Sequence, residues 1–250
     1  MRTKEVSICG LSAVRSRFET APLTIKRLFF TQEIAPQIGD ICHALAEARH
    51  AYRCVAAEDL ERISGSVHHG GIVAVVERPP FKPPQLEQVR EWAGRGESLL
   101  ILDCIGNPHN LGAIVRTAAF FGVTKLVLAE HPLAALPTDA TYRVAAGGLE
   151  HMDVFVVRYM DRFLHDIRAF YEVVGAATEG GHPNLAGSSR KPVALVLGNE
   201  EEGIAPEVAA ECDRLVTIPG CGRVESLNVG AAAAVLLWEC TRQQGARSRS

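Results

Sequence analysis

Three polar clusters, each directly after an apolar run, hold the residues of this chain that could do chemistry. The first, Asn107-Pro108-His109-Asn110-Leu111-Gly112, leads into a helix carrying Arg116. Pro108 and Gly112 favour a turn and Asn110 is a good N-cap, so a plain strand-to-helix connection explains much of it. Arg116 interrupts a run of Ala, Ile, Val, Phe and Gly where a charge is disfavoured, and needs an anionic partner or an open cleft. The second cluster, Leu197-Gly198-Asn199-Glu200-Glu201-Glu202-Gly203, has glycine near both ends and three acids at the mouth of a strand. It is no P-loop, because the Lys-Ser/Thr pair is missing and three carboxylates repel phosphate. It reads either as an acidic turn opening the Pro206 helix, or as a site for a cationic ligand. The third, Ile218-Pro219-Gly220-Cys221-Gly222-Arg223-Val224-Glu225-Ser226-Leu227-Asn228, runs into an Ala-rich helix. It imitates a dinucleotide fingerprint without the later strand and acid, and Ser226 lacks the glycines of a nucleophile elbow. What remains is a loop of free amides able to hold a ligand, with Ser226 and Asn228 placed either to cap the helix or to act in catalysis.

Other chemistries fit poorly. The seven cysteines are scattered, with no CxxC pair and no Cys/His cluster at zinc spacing, which reads as reduced thiols and no metal site. His68 and His69 are neighbours that would point to opposite faces of a strand. Cys221 has no base near it in sequence and reads as a small spacer.

The elements that must position these clusters alternate between strand and helix. Apolar runs at Leu99 to Leu102, Lys125 to Leu128, Val154 to Val157, Glu172 to Ala176, Val193 to Leu197 and Leu215 to Ile218 predict strands. Met160, Phe163, Leu164, Ile167 and Phe170 form one stripe of an amphipathic helix. Continuous apolar strands separated by helices imply an α/β domain, a parallel sheet with helices on both faces, and ligands then sit at the carboxyl ends of the strands. Four prolines between Arg78 and Pro84 mark a linker. Before it, β-like runs at Ile25 to Phe30, Ala51 to Val55 and Ile72 to Val76 alternate with helical stretches near Ile38 to Arg49 and Glu58 to Ile63, a small α/β unit. The organisation expected is therefore 1–78, a linker and lead-in helix over 79–96, and a larger domain over 97–250. The Gly- and Ser-rich stretch Thr178 to Lys191 is a candidate mobile segment.

A hydrophobic content of 47% excludes disorder, and the longest nearly uncharged apolar run, Val229 to Trp238, is half of the roughly 20 residues a bilayer span needs. With no apolar signal core at the N-terminus, a cytoplasmic protein without a membrane partner is expected. The net charge of −3 argues against a general nucleic-acid coat. Its distribution does not: residues 1–30 carry six Lys/Arg against two Glu and the last eleven carry three Arg and no acid, which leaves the middle near −10. Basic ends can hold RNA locally.

Together the clusters resemble a known family. Asn110 with Arg116, then Gly198-Asn199-Glu200, then Ile218-Pro219 followed by Ser226-Leu227-Asn228-Val229, are similar in order and spacing to the three signature motifs of the SpoU/TrmH methyltransferases. These use S-adenosylmethionine to methylate a ribose 2′-hydroxyl of transfer or ribosomal RNA. The likeness covers about residues 99 to 244. Cys9-Gly10-Leu11-Ser12-Ala13-Val14 and His68-His69-Gly70-Gly71-Ile72-Val73-Ala74 resemble the ribosomal-protein-like RNA-binding domain that precedes the catalytic one in many members, including those acting on large-subunit ribosomal RNA. The resemblance implies a C-terminal deep trefoil knot, an exception to the rule that chains do not thread loops, and a homodimer packed through the knot region, for which the apolar Ala231 to Trp238 helix is suited. It implies a cofactor pocket from Leu197, Gly198, Asn199, Ile218, Pro219, Gly222, Ser226 and Leu227, and a reaction site from Arg116, Asn110, Glu200, Ser226 and Asn228. Arg116 would be the base or, since a guanidinium is ordinarily protonated, the stabiliser of the forming alkoxide. Ribosomal RNA is the favoured substrate. A non-catalytic RNA-binding or assembly factor that retains the fold, or base methylation by a related knotted fold, are the alternatives.

Overall fold

Strands that are apolar at every position need cover on both faces, and the computed structural model meets that need with one six-stranded parallel sheet. It describes residues 4–78, 80–183 and 190–247. These fall into two compact units that are not contiguous in sequence: the residues up to Pro80 with Pro137–His151, and Phe81–Leu136 with the residues from Met152 on.

The first unit contains β1 (Lys4–Cys9), α1 (Leu11–Thr20), β2 (Ile25–Phe30), α2 (Gly39–Glu47), β3 (Ala51–Cys54), α3 (Ala57–Ser64) and β4 (Ile72–Arg78). Its sheet runs β1-β4-β2-β3, antiparallel except for the parallel pair β2/β3. The predicted runs at 25–30, 51–55 and 72–76 are strands, and β1 and α1 are additional.

The second unit contains α4 (Leu86–Gly94), β5 (Leu99–Leu102), α5 (Pro108–Phe120) and β6 (Lys125–Ala129). The helix α6 (Asp139–Ala145) and the turn Gly148–His151 then leave to join the first unit. The second unit resumes with β7 (Asp153–Val157), α7 (Met160–Ile167), β8 (Glu172–Ala176), β9 (Val193–Leu197), α8 (Pro206–Ala209), β10 (Arg214–Val216) and α9 (Val229–Arg247). The strand order is β10-β8-β9-β5-β6-β7. All six predicted strands are present, within one to two residues at their ends. Leu99, Ile101, Val127, Val173, Ala194 and Val196 pack on one face against Val89 and Trp92 of α4, Leu164 of α7 and Val208 of α8. Alternate residues such as Leu100, Leu126 and Leu195 are equally buried on the other face, where α9 packs against α5 and β9. The proline-rich stretch is tied down at Lys82, whose carbonyl accepts from the Val156 N–H at 3.2 Å. Part of the 178–191 stretch lies outside the described residues. His182 pairs beside Val216. Among the described residues no helix is long and apolar enough to cross a membrane.

Residues 137–151 are bound to the first unit by polar contacts. The Ser7 N–H donates to Asp139 Oδ1 at 3.1 Å, and Arg17 Nε lies 2.7 Å from Glu150 Oε2 with the carboxylate side chain 1% exposed. Burial pushes the Glu150 carboxyl up to about 7 despite the opposing pull of Arg17; Tyr142 and Arg17 stand beside each other in the same cluster. In the unfolded chain this group titrates near 4.5. Between these values the folded form keeps a proton that the unfolded form has lost, so stability falls as pH rises through the window. A window of that width corresponds to at most about 3 kcal/mol. Denaturant unfolding of the full chain at pH 5 and pH 8 is expected to show this fall, and Glu150→Gln is expected to remove most of it. Equal pH dependence in the two proteins would contradict the assignment.

Candidate active site

All three polar clusters meet at the carboxyl end of the parallel sheet, and buried Asp103 ties their base together. Its N–H donates to the Leu197 carbonyl at 2.8 Å, bridging β5 and β9, and its Oδ2 accepts from the Ala205 N–H at 2.9 Å. The next residue, Cys104, has a left-handed backbone with φ 58°, a conformation rare for a side chain outside Asn, Asp or Gly. Its carbonyl accepts from Asn199 Nδ2 at 3.0 Å. Asn199 Oδ1 in turn accepts from the N–H groups of Glu201 (2.9 Å) and Glu202 (3.2 Å), and its backbone exchanges two hydrogen bonds with Gly203. The turn is so tight that a Cβ on Gly198 would sit 2.2 Å from the Gly203 carbonyl carbon. Position 198 can only be glycine without rebuilding the turn.

This crosslinked turn presents Glu200. Asn110 Nδ2 donates to Glu200 Oε1 at 2.6 Å, Asn228 Nδ2 donates to Asn110 Oδ1 at 3.2 Å, and Asn228 Oδ1 accepts from the Gly230 N–H at 2.9 Å, capping α9. An ionised carboxylate only accepts, so Glu200 dictates which end of each amide faces which neighbour. Asn110 is free for this because Asn107, not Asn110, caps α5, accepting from the His109 N–H at 2.8 Å. The sequence points to Asn110 as a cap because both residues suit the position, and the turn of Pro108 at the first helical position decides between them. A Cβ on Gly230 would be 3.3 Å from Ala113 Cβ, so that glycine lets α9 approach α5 closely enough for Asn228 to reach Asn110.

Beside the chain of amides lies a cavity of about 340 Å³, lined by the ends of β8, β9 and β10, the 198–204 turn and the start of α9. Of the residues expected to hold a cofactor, Leu197, Gly198, Asn199, Ile218, Ser226 and Leu227 line it. Pro219 and Gly222 are exposed on the neighbouring loop and do not. Glu225 of the third cluster also lines it, as do Ala177 and Thr178, which only their place after β8 signals in the sequence. Glu200, Glu201, Glu202 and Glu225 border the cavity and, among the described residues, no Lys or Arg does, which suits a cation. The volume is that of a small-molecule site. Ser226 is exposed at its rim and makes no side-chain hydrogen bond among the described residues.

Arg116 is not in this cluster. Six helical residues advance about 9 Å along the axis and leave it on a different side of α5 from Asn110. It is exposed and without an ion pair among the described residues. Cys104 is no nucleophile, since burial, reinforced by Asp103, pushes its thiol up to about 11. No group of three or more potential metal ligands occurs among the described residues.

Comparison with known proteins gives a consistent picture. Residues 97–238 match the SpoU rRNA Methylase family and residues 7–82 match the family described as RNA 2′-O ribose methyltransferase substrate binding. The chain is 34% identical over 249 residues to an uncharacterized tRNA/rRNA methyltransferase, YfiF, of Escherichia coli O157:H7, covering 98% of this chain and 70% of that protein. It is 31% identical to the 23S rRNA (guanosine-2′-O-)-methyltransferase RlmB of Nitrosomonas europaea, covering 97% of this chain and 94% of that one. The crystal structure of AdoMet-bound rRNA methyltransferase from Sinorhizobium meliloti superimposes with a TM-score of 0.78 at 25% identity, over 96% of this chain and 87% of that one.

Gly198→Ala tests the tight turn directly. A lowered Tm with loss of measurable S-adenosylmethionine binding by calorimetry is the expected outcome; an unaltered Tm and affinity would contradict the geometry.

Proposed function

The chain belongs to the SpoU methylase family, and from that premise we propose that it transfers the methyl group of S-adenosylmethionine to a ribose 2′-hydroxyl of ribosomal RNA. The observation that carries this reading is the Glu200–Asn110–Asn228 chain at the mouth of an acidic cavity. When bound, the cofactor supplies a methyl group on a cationic sulfur. Backbone groups of Gly198, Ile218 and Leu227 and the carboxylates around them suit its polar parts and its charge. The remaining task falls to the protein. A neutral hydroxyl is a poor nucleophile, so its proton must be drawn off as it attacks. Asn110 engages Glu200 Oε1, which leaves Oε2 to accept a hydrogen bond from the ribose hydroxyl, and the amide chain holds that carboxylate in one orientation.

Arg116 acts from another side. It shares a face of α5 with Phe120, four residues on, and Phe120 is 83% exposed, with Val235 and Trp238 of α9 also exposed. Phe121, just after α5, meets Trp238 of α9 with tilted rings 6.1 Å apart at their centroids, so the two helices present one apolar surface. Such a surface is ordinarily covered, here by a second copy of the chain. That homodimer carries Arg116 to the seam, where its guanidinium stabilises the developing alkoxide on the RNA. The strand order, with β10 at the sheet edge beside β8 after the chain has left β9, and the return of α9 onto β9, support a C-terminal knot. The first unit serves as the RNA docking domain, and a ribosomal substrate goes with a cytoplasmic location.

Transfer from isotope-labelled S-adenosylmethionine to ribosomal RNA tests the reading. For Arg116→Ala, cofactor affinity is expected within twofold of the parent and kcat lower by about 10²- to 10³-fold; an undiminished rate would remove Arg116 from the mechanism. Because the phosphate contacts come from local basic patches on an acidic body, RNA affinity is expected to fall steeply between low and high salt. A salt-independent affinity would contradict it.

A further inference from the structure

A second cavity, of about 530 Å³, opens at the carboxyl ends of β5, β6 and β7 on the far side of the 199–203 turn, and shares Asn199, Glu202 and Gly203 with the first. The mechanism does not use it. Arg158 and Tyr159 stand at its edge. Tyr159 is 54% exposed, and two guanidinium groups lie over its ring, Arg158 at 5.6 Å and Arg162 at 5.0 Å from the centroid. Neither arginine has a carboxylate within ion-pair distance among the described residues, although Asp161 lies between them in sequence. Two cations gathered on one ring with no carboxylate in ion-pair contact among the described residues repel each other, and an anion between them relieves that repulsion. The exposed ring supplies what a nucleobase stacks on, and arginine reinforces such stacking.

We propose that Arg158, Tyr159 and Arg162 form a single-stranded RNA subsite that holds a nucleotide flanking the one methylated; this rests on the RNA methyltransferase reading above. The two arginines take the phosphates and Tyr159 takes the face of the base. Asp103, Glu130, Asp161, Glu202 and Glu207 line the cavity. They repel the backbone and accept from the N–H groups of a base, so the strand lies with its phosphates along the arginine rim and its base turned inward. The shared turn then joins this subsite to the reaction site.

Fluorescence anisotropy of a labelled, unstructured RNA decamer on the full chain tests the subsite. Tyr159→Ala is expected to weaken binding at least about fivefold, and Tyr159→Phe, which keeps the stacking face, to stay within twofold of the parent. The double variant Arg158→Ala/Arg162→Ala is expected to flatten the slope of log affinity against log salt by about 1.4. S-adenosylmethionine affinity, measured in parallel, is expected to be unchanged in all three, which separates a lost subsite from a lost fold. Decamer affinity and salt slope equal to the parent in Tyr159→Ala and in the double variant would overturn the inference. Methyl transfer by the parent to ribosomal RNA decides the broader reading separately: transfer together with unaffected variants removes the subsite alone, and weakened variants of a parent that transfers nothing leave RNA binding standing and remove the activity.

Discussion

A carboxylate can only accept hydrogen bonds, and the arrangement of the proposed reaction site follows from where this chain puts one. Glu200 is held at the tip of a turn whose backbone is crosslinked at both ends: Asn199 to Gly203 within the turn, and Asn199 to Cys104 and Asp103 to Ala205 across to β5. With the carboxylate fixed, the amides of Asn110 and Asn228 have a single consistent orientation, and the start of α9 is capped in the same stroke. The 198–204 turn and the start of α9 are thereby registered to the start of α5, which lies 90 to 118 residues earlier in the chain. The small residues at 198 and 230 are what allow the approach.

The same turn divides the carboxyl end of the sheet into two cavities. Both are bordered by carboxylates; the first has no Lys or Arg among its described lining residues and fits a cationic cofactor, while Arg158 stands at the edge of the second. A modest overall charge is thus an average over regions with opposite tasks, and says little about whether RNA binds. The polarity that matters is local, set by Glu200 and Glu201 on one side and by the arginines over Tyr159 on the other.

Much of this was legible in the sequence. The second unit's strands carry an unbroken apolar signal that only a doubly covered parallel sheet satisfies, and the polar clusters following three of them mark its ligand-binding end. What the sequence hides is long-range. Nothing local shows that residues 137–151 belong with the first unit, because that depends on Asp139 meeting Ser7 and Glu150 meeting Arg17, more than 130 residues away. Local propensity likewise cannot choose between Asn107 and Asn110 as the cap of α5; the partner that distinguishes Asn110 is Glu200, ninety residues on. Arg116 stands out in sequence as a charge in an apolar run. In the fold it is an exposed side chain beside Phe120, with an open surface rather than a buried counter-ion as its explanation.

The central claim is that this end of the sheet methylates a ribose hydroxyl. It is tested most directly by labelling ribosomal RNA with the purified protein and S-adenosylmethionine, digesting the RNA to nucleosides and identifying the one that carries the label. The account expects a 2′-O-methyl nucleoside from a single position, absent when Asn110 is replaced by Asp, which sets a second carboxylate against Glu200. Label on a base, or incorporation that survives Asn110→Asp undiminished, would contradict it.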